Sequence, residues 1–188
     1  FAHYPLRRLE AEVLIDALNQ ITGTSEPYSS PIPEPFTYIP EGQRSIALPD
    51  GSITSPFLEQ FGRPSRDTGL ESERSNRPTA DQRLHLLNSS HIQRKIEEGP
   101  RLRALFQSAA PDPPRRSGKK AGKFGSAGES ARPGEVINEL YLTILSRRPT
   151  PAELTAVKQY VQSASSKGEA AMDVAWALIN SAEFLYRH

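Results

Sequence analysis

The chain contains no cysteine, which excludes disulfides, thiolate catalysis, c-type haem attachment and the common cysteine-based zinc sites. It has no apolar run near the ~18 residues that a membrane-spanning helix needs, so no membrane span is expected. No signal-peptide pattern opens it. Charge of one sign is not in excess: the net charge is +1, so the total gives no electrostatic pull toward nucleic acid or anionic membranes. No glycine-rich loop follows a strand and no Gly-x-Ser-x-Gly occurs, which leaves no sequence sign of a phosphate cradle or a hydrolase elbow. His3, His85, His91 and His188 show no H-x-x-x-H or H-E-x-x-H spacing, so no metal site is expected.

What is present is mostly helical text. The 188 residues suffice for a single helical domain with a real core. The chain opens on Phe1-Ala-His-Tyr-Pro instead of Met, and reads as a C-terminal fragment of a larger protein. Leu9, Val13, Leu14, Ala17, Leu18 and Ile21 recur at three- and four-residue steps, predicting a helix from Arg8 to Thr22 that stops at Gly23. Thr79 and Gln82 match a capping box, with a helix to Asn88. A second helix runs from Ser89 to Gly99-Pro100, and Leu102, Leu105 and Phe106 give a third short piece. Three further helices follow: one carrying Val136, Ile137, Leu140, Tyr141, Ile144 and Leu145; one starting at Thr150-Pro151-Ala152-Glu153; and one from Gly168 to His188. Tyr141, Tyr160 and Trp176 are expected in the core of this three-helix unit, which the first helix is positioned to close as a fourth.

Two segments break the pattern. SEPYSSPIPEPFTYIPEG, residues 25–42, has five prolines and no helical period, so it should be extended or turning, and its aromatics should hold it on the domain surface. Ser45 to Leu48 reads as a short strand at most, and Pro56 to Phe61 as a helical turn. Residues 109–134 hold six basic side chains (Arg115, Arg116, Lys119, Lys120, Lys123, Arg132) and two acids, a net of +4 within a chain of +1, so the remainder carries −3. This segment reads as a flexible basic linker. The fold class is therefore mostly α: a helical bundle with a long irregular Pro-rich excursion and a flexible basic loop.

The charged stretch FLEQFGRPSRDTGLESERS, residues 57–75, gathers Arg63, Arg66, Asp67, Glu71, Glu73 and Arg74 in an irregular segment. One reading is an acid/base or anion site on a loop. The other is an ion-pair hub in which arginine forks satisfy carboxylates and helix-end carbonyls, and it is the favoured one.

The phrases RRLEAEVLIDALNQITGT, FLEQFGRPSR, QRLHLLNS, LYLTILSRRPTPAEL and DVAWALINSAEFLYRH, in that order, resemble a planctomycete-type domain of unknown function, the DUF1553 family. The last phrase is the most distinctive, met by Trp176, Asn180, Ser181, Glu183, Phe184 and His188. The resemblance implies the C-terminal domain of a large exported protein, periplasmic or at the cell surface, often with cytochrome-c-like domains upstream. It implies no reaction. A cysteine that often stands before the Glu-Arg pair in that family is replaced here by Ser72, before Glu73-Arg74.

The expected function is docking against upstream domains of the same chain or another protein. The alternatives are an Arg/Glu cluster completing an active site shared with an upstream domain, and polyanion or cell-surface binding through Arg115 to Lys123. No cofactor is expected in this domain, with haem only in upstream domains, and nucleic acid is not an expected partner.

Overall fold

The structure, a computed structural model, describes residues 7–33, 35–49, 51–64, 74–75, 77–109 and 133–187. It is mostly helical and of the bundle class that the periodicity predicts. The chain forms two compact units, one of residues 1–102 and 179–188 and one of residues 103–178. The 109–134 linker, with Arg115, Arg116, Lys119, Lys120 and Lys123, lies outside the described residues apart from its two ends.

The first unit is built on α1 (Ala11–Thr22). It starts later than Arg8 because Arg7–Arg8 forms a two-residue strand, β1, antiparallel to β2 (Tyr186–Arg187). Gly23 ends α1 in the left-handed region, its N–H donating to Asn19 O at 2.8 Å. Leu14, Ile15 and Leu18 are fully buried, as are Phe57 and Leu58 of α2 (Pro56–Gln60) and Ile92 of α4 (Ser90–Glu98). Each such side chain contributes about 1.5–3 kcal/mol. Phe57 and Phe61 stack with ring centroids 4.1 Å apart. α1 also buries Glu12 and Asp16, whereas Val13 and Ala17, expected on its inner face, are only half-buried. α3 (Ala80–Asn88) has the expected capping box of Thr79 and Gln82, and Ser89 caps α4.

The Pro-rich excursion is pinned at its base. Ser29 and Thr54 form an antiparallel bridge with N–H···O distances of 2.9 and 3.0 Å. The Tyr28 hydroxyl hydrogen-bonds Ser45 Oγ. Ser45–Ala47 is a 3-10 turn, not the short strand expected there. The reason is Asp16: its carboxylate accepts the Ser45 N–H at 2.7 Å and the Ile46 N–H at 3.2 Å, taking amides that a strand would present to a neighbour. Phe36 and Tyr38 do not hold the excursion down as expected, being 84% and 72% exposed.

The second unit contains most of α5 (Pro100–Ala109), α6 (Pro133–Leu145), α7 (Pro151–Ser163) and all but the last residue of α8 (Lys167–Ile179). α1 belongs to the other unit, so it is not the fourth helix of this one. α6 buries Val136, Ile137, Leu140, Tyr141 and Ile144, and α8 buries Ala171, Val174, Ala175 and Leu178. Thr150 and Glu153 form a capping box on α7, and Arg147 grips Glu153 with two bonds of 2.9 Å. That grip, with the Thr150 contacts, lowers the Glu153 carboxyl pKa to about 2. Tyr141 is core as expected; Tyr160 and Trp176 are not, since both lie on outward faces. The Tyr160 hydroxyl donates to Asp173 at 2.5 Å. The expected helix from Gly168 to His188 is broken at Asn180-Ser181, where Ser181 Oγ accepts the Phe184 N–H and starts α9 (Ala182–Leu185).

One backbone approach sets up the charged cluster. Gly62 follows α2 at φ +92°, and a Cβ there would stand 2.2 Å from Ser75 O. Ser75 N–H donates to Gly62 O at 3.1 Å, which sets Ser75 beside the end of α2. Gly42 also has positive φ, at +74°, but with open space around it. Gly62→Ala should therefore cost roughly 3 kcal/mol or more, combining left-handed strain with a backbone clash, while Gly42→Ala should cost about 1 kcal/mol from strain alone. Urea unfolding followed at α1 amides measures both, and equal costs would contradict the close approach.

Candidate functional site

The charged cluster centres on Glu12, which no charge count of residues 57–75 includes. Glu12 lies in the first turn of α1, where the helix dipole favours an anion, and is 6% exposed. Its carboxylate meets Arg74 Nη1 at 2.9 Å and Arg63 Nε at 3.4 Å, and Arg74 Nη1 also lies 3.8 Å from Glu10. The other arm of Arg63 donates to Ile53 O at 2.5 Å. From β1, the buried Arg8 donates Nη2 to Phe61 O at 2.8 Å and bonds Gln82 Oε1 through Nη1. Burial lowers the pKa of this guanidinium. Gln82 Nε2 donates to Gln60 O at 2.8 Å. The carbonyls of Gln60 and Phe61, left over where α2 ends, are thus met by side chains.

A second cluster lies between α1 and α4. Glu26 is buried, with His91 Nε2 at 3.0 Å and Lys95 Nζ at 3.1 Å. Lys95 also donates to Asn19 Oδ1 at 2.7 Å and Ser25 O at 2.9 Å, and reaches Thr24 Oγ1 at 3.3 Å. Burial alone would raise the Glu26 pKa, but the bonds and charges of His91 and Lys95 outweigh it and leave the pKa lowered. His85 stands edge-on to Phe57, Phe61 and His91, each ring centroid 5.8 Å away. Its Nε2 is buried without a hydrogen-bond partner. Burial, then the charge of His91, lowers its pKa.

Neither arrangement presents a reactive group. The Glu12 carboxylate is held by two guanidiniums, and Glu26 by an ammonium and an imidazole that lower its pKa and make it a poor base. The unpartnered nitrogen of His85 is sealed from solvent. Among the described residues, no group of three or more His, Cys, Asp or Glu side chains is placed to hold a metal ion.

Of the six charged residues singled out in the sequence, the structure brings Arg63 and Arg74 together on Glu12. Arg66, Asp67, Glu71 and Glu73 lie outside the described residues, as does Ser72. In the C-terminal phrase, Trp176 is partly exposed on α8, Asn180 lies at the helix break, Ser181 and Glu183 serve the start of α9, and Phe184 is buried. His188 lies outside the described residues. Arg8, Glu12, Glu26 and Lys95 were missed. Glu12 had a signal, since an acid at 12 and another at 16 share the apolar phase of α1; Glu26, in a proline-rich loop, had none.

Arg63 and Arg74, paired with Glu12 in the first turn of α1, give this helical domain an internal ion-pair brace. The profile of PSD1, a protein of unknown function (DUF1553), matches residues 1–161. The chain belongs to this family. The match stops short of the WALxNSxEFL phrase. No curated protein and no solved structure matches the chain.

Two outcomes test the clusters. The Arg63 side chain is 10% exposed and that of Arg74 is 28%. Arg63→Ala should cost about 3 kcal/mol, because it strips a buried carboxylate and a carbonyl together, and Arg74→Ala about 1 kcal/mol. The reverse order in thermal unfolding would remove Arg63 from the centre of the brace. His85 has its folded pKa below the ordinary 6.5. The fold therefore favours its neutral form, and stability should fall as pH drops from 6.5 toward the folded value. Glu26, with its pKa lowered from 4.5, adds stability that is fully present above 4.5 and lost only as pH falls through its lower folded value. Loss between pH 7 and 5 is thus assigned to His85, and His85→Phe should flatten it in urea titrations; an unchanged slope would reject the assignment.

Proposed function

We propose that this chain is a non-catalytic docking module that packs against upstream domains of a multi-domain exported bacterial protein, or against a partner protein. The observation that carries this reading is the exposure of Phe36 and Tyr38, 84% and 72%, on an excursion whose base is tied down. Covering such rings is worth about 1.5–3 kcal/mol each, and exposed apolar groups on a fixed scaffold suit an interface. The brace supports the same reading, because the described charges of the loop are spent on holding the fold. The planctomycete-type, cytochrome-associated and periplasmic or cell-surface setting belongs to this proposal. In it, haem sits in upstream domains and this domain binds none.

Hydrogen exchange tests the reading. In the full-length polypeptide, the excursion amides from Tyr28 to Gln43 should exchange more slowly than in this chain alone. The paired substitution Phe36→Ser and Tyr38→Ser should erase the difference. Equal exchange with and without the upstream domains would reject docking against them.

A further inference from the structure

A cavity of about 380 Å³ opens between the second half of α1 and the turn at Gly42–Arg44, within the ~300–1,000 Å³ range of ligand pockets. None of its lining residues is aliphatic or aromatic. An apolar ligand therefore finds no hydrophobic side chain, and a sugar ring finds no aromatic face to rest on. The polar groups divide into spent and unspent. Asp16 is spent on Ser45 N and Ile46 N, with Arg44 Nε 3.5 Å away. Asn19 Oδ1 is spent on Lys95 and Thr24, which leaves its amide Nδ2 as a donor. Gln43 Nε2 is spent on Ala47 O at 2.7 Å, which leaves its Oε1 as an acceptor. The Gln20 side chain, exposed at the rim, offers both. The Arg44 side chain is 70% exposed and touches Asp16 only through Nε, so both Nη groups remain as a fork.

Donors and acceptors on carboxamides, beside one guanidinium fork, match the alternating N–H and C=O groups of an extended peptide that carries a carboxylate. A lone cation with spare donors is too little for a phosphate or polyanion. Ile46, two residues past Arg44 and 59% exposed, offers an apolar rest for a neighbouring side chain. We propose that the cavity holds an extended acidic segment of the docking partner, with its backbone on Asn19, Gln20 and Gln43 and its carboxylate on Arg44. This rests on the docking reading and adds to it the chemistry of the bound segment.

The test titrates the 188-residue chain with two libraries of N-acetylated octapeptide amides, one with Asp fixed at the centre and one with Lys, and with cellobiose. The Asp library should shift the amide resonances of Gly42 to Arg44 and the Asn19 side-chain amide, and the Lys library should bind at least roughly tenfold more weakly. Arg44→Ala should weaken the Asp library roughly tenfold, and Arg44→Lys should restore part of it. Gln20→Ala, at an exposed position, should weaken binding without touching the fold. Shifts with cellobiose alone, equal binding of both libraries, or no shift at this turn would each overturn the assignment. Peptide binding lost with Phe36→Ser and Tyr38→Ser but indifferent to Arg44→Ala would leave docking standing and remove the cavity. Binding governed by Arg44, together with equal hydrogen exchange in the full-length protein, would do the reverse.

Discussion

The pairing of Glu12 with Arg63 and Arg74 governs how the first unit is assembled. A carboxylate on the inward phase of a helix costs several kcal/mol unless it is neutralised in place. Its partners come from residues 51 and 62 positions further along the chain. To reach Glu12, the chain must leave α2 sharply at Gly62 and return to it at Ser75. The brace therefore fixes α2 against α1, and with it the Phe57 and Phe61 stack that α3 and α4 face through His85 and His91. Arg8 performs the same service at the end of α2, and does so from β1. Its antiparallel partner β2 carries the C-terminal segment into the same unit.

Asp16 repeats the logic one turn later on α1. Here the ligands are two backbone amides and a mostly exposed arginine, so the carboxylate organises the 3-10 turn more than it stores charge. Glu26 repeats it again with Lys95 and His91. Three buried carboxylates thus each tie irregular backbone to a helix, and two of them, Asp16 and Glu26, flank the proline-rich excursion and keep it attached. The arrangement is expensive to break and inexpensive to keep, because each acid is already matched.

Local rules made much of the helical content legible. Gly23, the Thr79–Gln82 and Thr150–Glu153 boxes and the α6 apolar stripe all act over four residues or fewer, and the structure follows them. One failure came where a distant partner overrode a local preference: Ser45–Ala47 is a turn because Asp16 captures its amides. Another was a local cap overlooked: α8 stops where Ser181 starts a new helix. Trp176 and Tyr160 were placed in a core by residue type, although periodicity alone does not say which face of a helix is covered. The cluster was half legible: arginines in a polar loop announce a brace, but the acid they serve lies in another segment, hidden within an apolar stripe.

That division of labour bears on function. Active sites keep at least one titratable group under-satisfied and reachable, because a proton or a bond must move there. Among the described residues, the buried acids Glu12, Asp16 and Glu26 each have two or more partners, and the unpartnered His85 Nε2 is buried. The groups left with spare capacity are of another kind: exposed aromatic rings, side-chain amides at the rim of a cavity and a guanidinium fork. These are the groups on which the proposed docking rests; Phe36, Tyr38, Gln43 and Arg44 lie on the irregular segment after α1, and Asn19 and Gln20 on α1 itself. In the docking reading the ionic network acts at one remove, by giving irregular backbone a fixed shape.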